Sequence, residues 1–139
     1  MTIHTYEDIK KLVKDNNKSE SLSDEFVICL IWKESGFKDS VKSESSTATG
    51  LMQNTKAVIP DVNKAYKTSF KHADMLDAAK NIQCGTHYLD LRIKWAKDKI
   101  KGIEGYGTGE GYAKSILVCE DCLTKDEKHW QTALHKIHQ

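Results

Sequence analysis

The chain has 139 residues, of which 39% are hydrophobic and 29% are charged, so it can build one domain with a core and is not disordered. No apolar run approaches the roughly 20 residues that span a bilayer, which argues against membrane insertion. The net charge is +1, but residues 64–101 carry nine Lys/Arg against four Asp/Glu. This basic middle predicts either attraction of an anionic polymer or a solvated helix face, and both interpretations remain open.

The first part of the chain predicts two helices and a loop. Thr5 is a typical N-cap before an apolar stripe, and Asn16-Asn17 ends this first helix. Ser23 caps a second helix, which runs through apolar residues to position 33 or 34 and stops at Gly36. Residues 38–49 are rich in Ser, Thr and charge, and they predict a loop.

The middle of the chain predicts a short helix and a long one. The short helix should begin near Gly50 and break before Pro60, the only proline. The long helix should begin at Asp74 or Asp77 and run through Lys97. Its predicted inward residues are Leu76, Ala79, Ile82, Tyr88, Leu89 and Ile93. Gly85 in this helix predicts the close approach of a neighbour, for which the helix ending at Glu34 is the candidate.

The last part of the chain predicts a glycine-rich loop and two closing helices. Gly102 to Gly111 holds five glycines in ten positions, which favours a loop with backbone freedom. Residues 112–123 and 126–137 predict helices. With no strand pattern or repeat, the chain should form a single mostly α domain over residues 1–139, with an N-terminal helix in 1–22 and a C-terminal helix in 124–139.

The four cysteines allow three pairings if all are bridged. Cys29 and Cys84 lie in apolar helical patterns and are predicted to be buried free thiols. Cys119 and Cys122 form a lone Cys-x-x-Cys, which indicates a local disulfide or two thiols rather than zinc, because two further ligands are missing.

Two other residue types are assigned structural roles. Trp32 and Trp95 lie in apolar helical patterns and are predicted to be core. His129, His135 and His138 crowd the C-terminus without a well-spaced carboxylate, which favours a solvated face over a metal site. No metal or cofactor is expected.

The strongest chemical signal is a glutamate at the end of the most apolar segment. Glu34 follows the run Phe26-Val27-Ile28-Cys29-Leu30-Ile31-Trp32, which should bury it beside apolar groups. Burial disfavours the charged carboxylate and raises its pKa. Such a group can hold a proton near neutral pH and give it to a leaving oxygen, so Glu34 is the candidate general acid.

Four blocks in order carry a resemblance to a known family. They are Glu34-Ser35-Gly36-Phe37, the serine loop 43–46 before Gly50-Leu51-Met52-Gln53, the segment from Asn81 to Leu89, and Gly105-Tyr106-Gly107-Thr108-Gly109. Over residues 26–117 the chain resembles the catalytic domain of the soluble lytic transglycosylase and goose-type lysozyme group. The resemblance implies a lysozyme-like fold with a substrate cleft.

The resemblance also implies roles for particular residues. Glu34 would be the acid and base, and Tyr106 would lie close to it with a phenol able to donate a hydrogen bond. Gln53 and Met52 would line the sugar cleft. The family's loop serine falls on Ser43, but this loop is one residue longer than usual, so Ser45 and Ser46 remain alternatives. Gly107 stands where the family commonly has asparagine, and the nearby Glu110 could substitute as a polar contact.

A second carboxylate is not marked by the resemblance. Asp39, Glu44 and Asp61 follow Glu34 in sequence, but none lies at a family catalytic position. This favours cleavage of the MurNAc-β-1,4-GlcNAc bond of peptidoglycan by transglycosylation, which gives 1,6-anhydro ends with one glutamate. A hydrolytic muramidase and a non-catalytic glycan-binding module are the alternatives.

Location and partners follow from the substrate. The first eight residues lack the basic start and apolar stretch of a signal peptide. We therefore expect action in the periplasm or cell wall after export by a specialised secretion system or a phage lysis route. Glycan strands are the expected partner, with a cognate inhibitor or immunity protein as a further one. Nucleic acid is not an expected partner, and a monomer is expected.

Overall fold

The computed structural model describes residues 2–137 as an all-helical fold around one central helix. Within that range there are seven α-helices and two 3₁₀ turns, the turns spanning His72–Leu76 and Glu127–His129. The α-helices are α1 (Tyr6–Asn16), α2 (Asp24–Ser35), α3 (Val58–Tyr66), α4 (Ala78–Ala96), α5 (Lys99–Tyr106), α6 (Tyr112–Lys125) and α7 (Trp130–Leu134).

The first two helices confirm their sequence signals. The Thr5 side chain caps α1 in a capping box with Asp8, and the Ser23 side chain accepts the Phe26 N–H at the start of α2. Gly36 ends α2 with a left-handed φ of 60°. Residues 26–31 of α2 are almost completely buried, so this helix is the centre of the core and its C-terminal end carries Glu34.

The region from Gly50 to Pro60 differs from the prediction. Residues 50–53 form a turn, and the helix begins only at Val58 with Pro60 in its first turn. Proline is compatible with that turn because the first N–H groups of a helix have no partner within it. The proline therefore lies within α3 instead of breaking a helix before it.

The turn at 50–53 is held by one buried side chain of α4. Asn81 is 0% exposed; its Nδ2 donates to the backbone oxygens of Thr49 and Met75, each at 2.9 Å, and its Oδ1 accepts the Met52 N–H at 2.8 Å. A Cβ on Gly50 would lie 2.3 Å from this amide nitrogen, so the close approach requires glycine there.

Helix α4 begins as predicted, but the group that packs against Gly85 is not the predicted helix α2. Asp77 caps the helix through the Lys80 N–H at 2.9 Å. A Cβ on Gly85 would lie 2.5 Å from the sulfur of Met52, so the glycine admits this side chain and not helix α2.

The glycine-rich segment was wrongly predicted to be entirely loop, because two of its glycines serve helix packing. Residues 99–106 form α5, and a Cβ on Gly102 would lie 2.4 Å from the Cα of Ile93 in α4. A Cβ on Gly105 would lie 2.1 Å from the guanidinium of Arg92. These glycines let α4 and α5 approach closely; the loop itself is residues 107–111.

The C-terminal segment is less helical than predicted. Helix α6 extends to Lys125, and only residues 130–134 of the predicted closing helix are α-helical, after the 3₁₀ turn. The Trp130 ring stacks on Tyr6, with centroids 4.6 Å apart, which packs this segment against α1. His129 contacts Asp126, His135 is exposed, and His138 lies outside the described residues.

The observed disulfide overturns the predictions for Cys29 and Cys119. Cys29 of α2 is bonded to Cys119 of α6, 90 residues away, so Cys29 is not free and the local Cys119–Cys122 bridge does not form. Cys84 is a free buried thiol, as predicted, and burial raises its pKa to about 12. Cys122 is free and half-buried.

Two predicted core residues lie at the surface. Leu76 is 43% exposed in its 3₁₀ turn, and Trp95 is 50% exposed near the end of α4, whereas Trp32 packs against the core. Among the described residues, no helix is both long and apolar enough to cross a membrane, and no group of three or more potential metal ligands occurs.

Candidate active site

A cleft of about 530 Å³ opens beside the C-terminal end of α2. Its walls come from the end of α2, the 43–55 segment and the start of α6 with the loop before it. The lining residues are Lys33, Glu34, Ser43, Ser46, Ala48, Gln53, Thr55, Tyr106, Gly107, Thr108 and Tyr112. Over residues 2–137, Glu34 is the only carboxylate in this lining.

Glu34 is half-buried at the cleft wall. Loss of solvation raises the pKa of its carboxyl, while a hydrogen bond from Tyr112 and the charge of Lys33 oppose that rise and leave the net direction upward. The Tyr112 hydroxyl donates to Oε2 of Glu34. A proton on this carboxyl is therefore best carried by Oε1.

Tyr112 is the residue that sequence reasoning missed. It is 4% exposed at the first position of α6, and burial followed by the charge of Glu34 raises the pKa of its phenol far above the usual range. The phenol therefore remains a proton donor. The Lys33 ammonium lies 5.5 Å from the ring centroid, which adds a cation–π contact.

The Tyr112 ring also explains Gly107. A Cβ at position 107 would lie 2.2 Å from two carbons of that ring, so no side chain fits there while the ring holds its place. The resemblance leads one to expect asparagine at position 107. The Tyr112 ring occupies the space that an asparagine side chain would need, so glycine stands there instead. Thr108, the next residue, reaches the cleft lining.

Tyr106 lies in the cleft but holds a different group from the one predicted. Its hydroxyl donates to the Met52 backbone oxygen at 2.6 Å and lies 3.3 Å from Oδ1 of Asn54. The phenol that donates to Glu34 is that of Tyr112. Tyr106 lines the same cleft as Glu34, as expected, but does not form the hydrogen bond to it. Tyr106 instead fixes the turn that carries Gln53.

Of the two residues expected from that turn, only one faces the cleft. Gln53 lines it with a left-handed φ of 53°, and its Nε2 donates to the oxygens of Val41 and Gly50 at 2.8 and 2.9 Å. These bonds orient the amide and leave its Oε1 without a partner among the described residues. Met52 is 0% exposed and packs on Gly85. The prediction that its side chain lines the cleft is therefore wrong.

The serine loop contributes two hydroxyl groups. Ser43 and Ser46 line the cleft, and the Ser43 N–H donates to the Ala48 oxygen at 3.0 Å, which closes the loop. Ser45 is exposed outside the lining, with its hydroxyl 3.3 Å from that of Ser43.

None of the other candidate carboxylates reaches the cleft. Asp39 accepts hydrogen bonds from the Thr2 N–H and the His4 ring, both at 3.0 Å, and so fastens the N-terminal segment. Glu44 and Asp61 are exposed outside the lining, and Glu110 borders a separate groove between α5 and α6.

Comparisons with known proteins agree with this architecture. The family described as Transglycosylase SLT domain matches residues 11–118, most of the chain. Among solved structures, the chain is similar to the 70-kDa soluble lytic transglycosylase of Escherichia coli, with 19% identity and a TM-score of 0.61. It is also similar to the 70-kDa soluble lytic transglycosylase in complex with bulgecin A, with 20% identity and a TM-score of 0.62.

The two structural matches cover 91% of this chain but only 19% and 20% of the other chains, so this chain spans about a fifth of their length. No curated protein matches the chain significantly. The structural likeness confirms the predicted mostly α, lysozyme-like fold. The match of the family over residues 11–118 goes further, and the chain belongs to the transglycosylase SLT domain family.

Proposed function

We propose that this chain is a peptidoglycan lytic transglycosylase that cleaves the MurNAc-β-1,4-GlcNAc bond with Glu34 as its single acid and base. The observation that carries the proposal is the half-buried Glu34 carboxyl with a raised pKa, at the wall of a cleft that has no other carboxylate within residues 2–137. Membership of the SLT family and the likeness to soluble lytic transglycosylases support the substrate class.

The first step is proton transfer from Glu34 to the glycosidic oxygen. The bond from this oxygen to the anomeric carbon breaks as the proton arrives, and positive charge develops at that carbon. Because Oε2 accepts the Tyr112 hydrogen bond, Oε1 is the proton-donating atom. The same hydrogen bond stabilises the carboxylate that remains after the transfer.

In the second step the 6-hydroxyl oxygen of the MurNAc residue bonds to its own anomeric carbon. Glu34, now ionised, takes the hydroxyl proton, so the enzyme returns to its starting state and the product carries a 1,6-anhydro ring. No second carboxylate is needed to activate a water molecule. In an inverting hydrolase, a base carboxylate would stand roughly 6.5–9.5 Å from the acid.

Substrate contacts are proposed for the remaining polar groups of the cleft. The free Oε1 of Gln53 can accept a hydrogen bond from a sugar hydroxyl or acetamido N–H, and the hydroxyl groups of Ser43 and Ser46 can donate or accept. Tyr106 adds an aromatic wall above the turn.

Digestion of purified peptidoglycan followed by mass spectrometry tests the reaction. Anhydro-muropeptides are the expected product. Reducing ends would instead indicate a hydrolytic muramidase, and unchanged sacculi would indicate a glycan-binding module; either result contradicts the proposal.

The variant Glu34→Gln tests the role of the carboxyl. It should lower kcat by at least about a hundredfold, because the amide cannot donate the proton, while thermal unfolding stays close to that of the wild type. Substantial activity in this variant would remove Glu34 from the role. Asp61→Asn, an exposed carboxylate outside the cleft, is the matched control.

We also propose that the protein acts in the periplasm or cell wall, where its substrate lies, as an antibacterial effector or a phage product with a cognate inhibitor. Growth arrest after directed export to the periplasm, but not after cytoplasmic expression, is the expected result. Equal toxicity from both compartments would contradict this assignment.

A further inference from the structure

A continuous run of aromatic rings leads away from the candidate cleft along α4. Tyr106 lines the cleft, the Tyr88 ring centroid lies 5.8 Å from that of Tyr106, and the Trp95 centroid lies 6.2 Å further on from Tyr88. Tyr88 and Trp95 are seven residues apart in one α-helix, so they share a face. The run therefore extends from inside the cleft to the outer surface.

The inner end of this run borders the cleft. A small pocket of about 90 Å³ lies between Tyr106 and Tyr88, with Val58 on its wall. It shares Gln53, Thr55 and Tyr106 with the lining of the main cleft. A polymer bound at Glu34 would thus find further concave surface in the direction of Tyr88.

The outer end presents an indole to solvent. Trp95 is 50% exposed although the apolar pattern of α4 predicted it to be core. An exposed indole offers a flat apolar face with one N–H donor, which suits the C–H face of a pyranose ring. Isolated exposed apolar residues need no explanation, but this one continues a ring series that begins in a cleft.

The Arg92 guanidinium lies over the indole ring and against the backbone of α5. Its guanidinium carbon is 5.8 Å from the Trp95 centroid, and the side chain is packed against Gly105 of α5. Its Nε is buried and has no hydrogen-bond partner among residues 2–137. Arg92 is only partly buried, and a guanidinium can donate two parallel hydrogen bonds to a carboxylate.

The charge of the surrounding corner fits an anionic ligand. Residues 92–101, which comprise the end of α4, the two-residue link and the start of α5, hold five basic side chains and one acidic side chain, Asp98. Asp98 is occupied as the N-cap of α5 through the Lys101 N–H at 2.8 Å. Peptidoglycan strands carry carboxylates on their lactyl-peptide substituents, so attraction and stacking would act on the same polymer.

We infer that Trp95 and Arg92 form an outer saccharide-binding site, continuous with the cleft through Tyr88, for a sugar ring of a carboxylate-bearing glycan strand. This inference rests on the proposed function for the identity of the strand. The outer site adds affinity for long strands and takes no part in bond cleavage.

Binding is tested in a Glu34→Gln background, where the strands stay intact. Trp95→Ala should weaken co-sedimentation with purified sacculi by about three- to tenfold, the loss expected for one aromatic contact. Trp95→Phe should retain part of the affinity. Val118→Ala, which truncates another exposed apolar side chain on α6, is the matched control and should bind normally.

Kinetics separate this site from the catalytic one. With Glu34 present, Trp95→Ala should raise KM for long strands by a similar factor and leave kcat unchanged, with no change on short fragments that fill only the cleft. Unchanged binding to sacculi, or equal losses on long and short substrates, would overturn the inference. If the wild type cleaved nothing, the proposed function would fail, while the sedimentation result would still decide the outer site.

Discussion

Replacement of Tyr112 by phenylalanine isolates the hydrogen bond to Glu34, because the ring and its fit against Gly107 are kept. The lost bond is one to a carboxylate in a half-buried site, for which about 1.5–3 kcal/mol is typical. It stabilises the ionised form, so its removal strengthens proton binding by Glu34.

The direction of the pKa change in this variant follows from the two opposing effects on Glu34. Burial raises the pKa of Glu34 and the Tyr112 hydrogen bond lowers it, so Tyr112→Phe leaves burial less opposed and raises this pKa further. In the proposed mechanism the reacting form of Glu34 is the protonated acid, which is lost as pH rises through its pKa. The alkaline limb of the kcat profile should therefore move to higher pH in the variant, while kcat at the optimum falls because Oε2 is no longer held.

The assay is release of soluble muropeptides from sacculi across pH, with Tyr66→Phe as a control that removes a phenol on α3 outside the cleft. An alkaline limb that stayed in place, or moved to lower pH, would refute the assigned role of Tyr112. A fall in thermal stability alone, with an unshifted profile, would leave Tyr112 as a packing residue.

Two further predictions concern links between helices. Replacing Cys29 and Cys119 together by serine should lower the free energy of unfolding by about 2–5 kcal/mol, measured by denaturant titration, whereas Cys122→Ser should change it little; equal effects would contradict the assigned pairing. Gly107→Asn should lower kcat/KM strongly in the wild type, because its side chain would collide with the Tyr112 ring. In a Tyr112→Ala background that space is free, and the same substitution should lower kcat/KM far less. Equal losses in the two backgrounds would refute this steric link between positions 107 and 112.

The sequence was most informative where a local rule determines structure. Thr5, Ser23 and Asp77 are caps whose side-chain chemistry is readable without the fold, and each begins the helix predicted from it. The apolar run before Glu34 likewise predicted the buried central helix and the carboxyl at its end. These features depend on neighbours within a few residues.

The misses have a common physical origin in contacts between distant segments. The Cys29–Cys119 bond joins residues 90 positions apart, and Tyr112 meets Glu34 only because α6 packs on α2. Gly102 was interpreted as a source of loop freedom, but its function depends on where Ile93 approaches from another helix. No pattern within either segment carries that information.

Trp95 was predicted to be core from the local apolar pattern, but it lies at the surface. Hydrophobic periodicity identifies the apolar face of a helix but not where along its length the neighbouring helices stop covering it. Residue 95 lies in the last turn of α4, beyond most of that cover, and it emerges half-exposed.

The Asn81 side chain helps to fix the shape of the turn at the edge of the cleft without itself lining the cleft. The Asn81 carboxamide joins three backbone stretches beneath the surface, and none of its hydrogen bonds involves a side chain that lines the cleft. Lining side chains that do not hold the turn themselves, such as Thr55 and Thr108, are therefore exchangeable with little effect on its shape. Engineered changes of glycan preference should accordingly begin at Thr55 or Thr108 and leave the Asn81 amide unchanged.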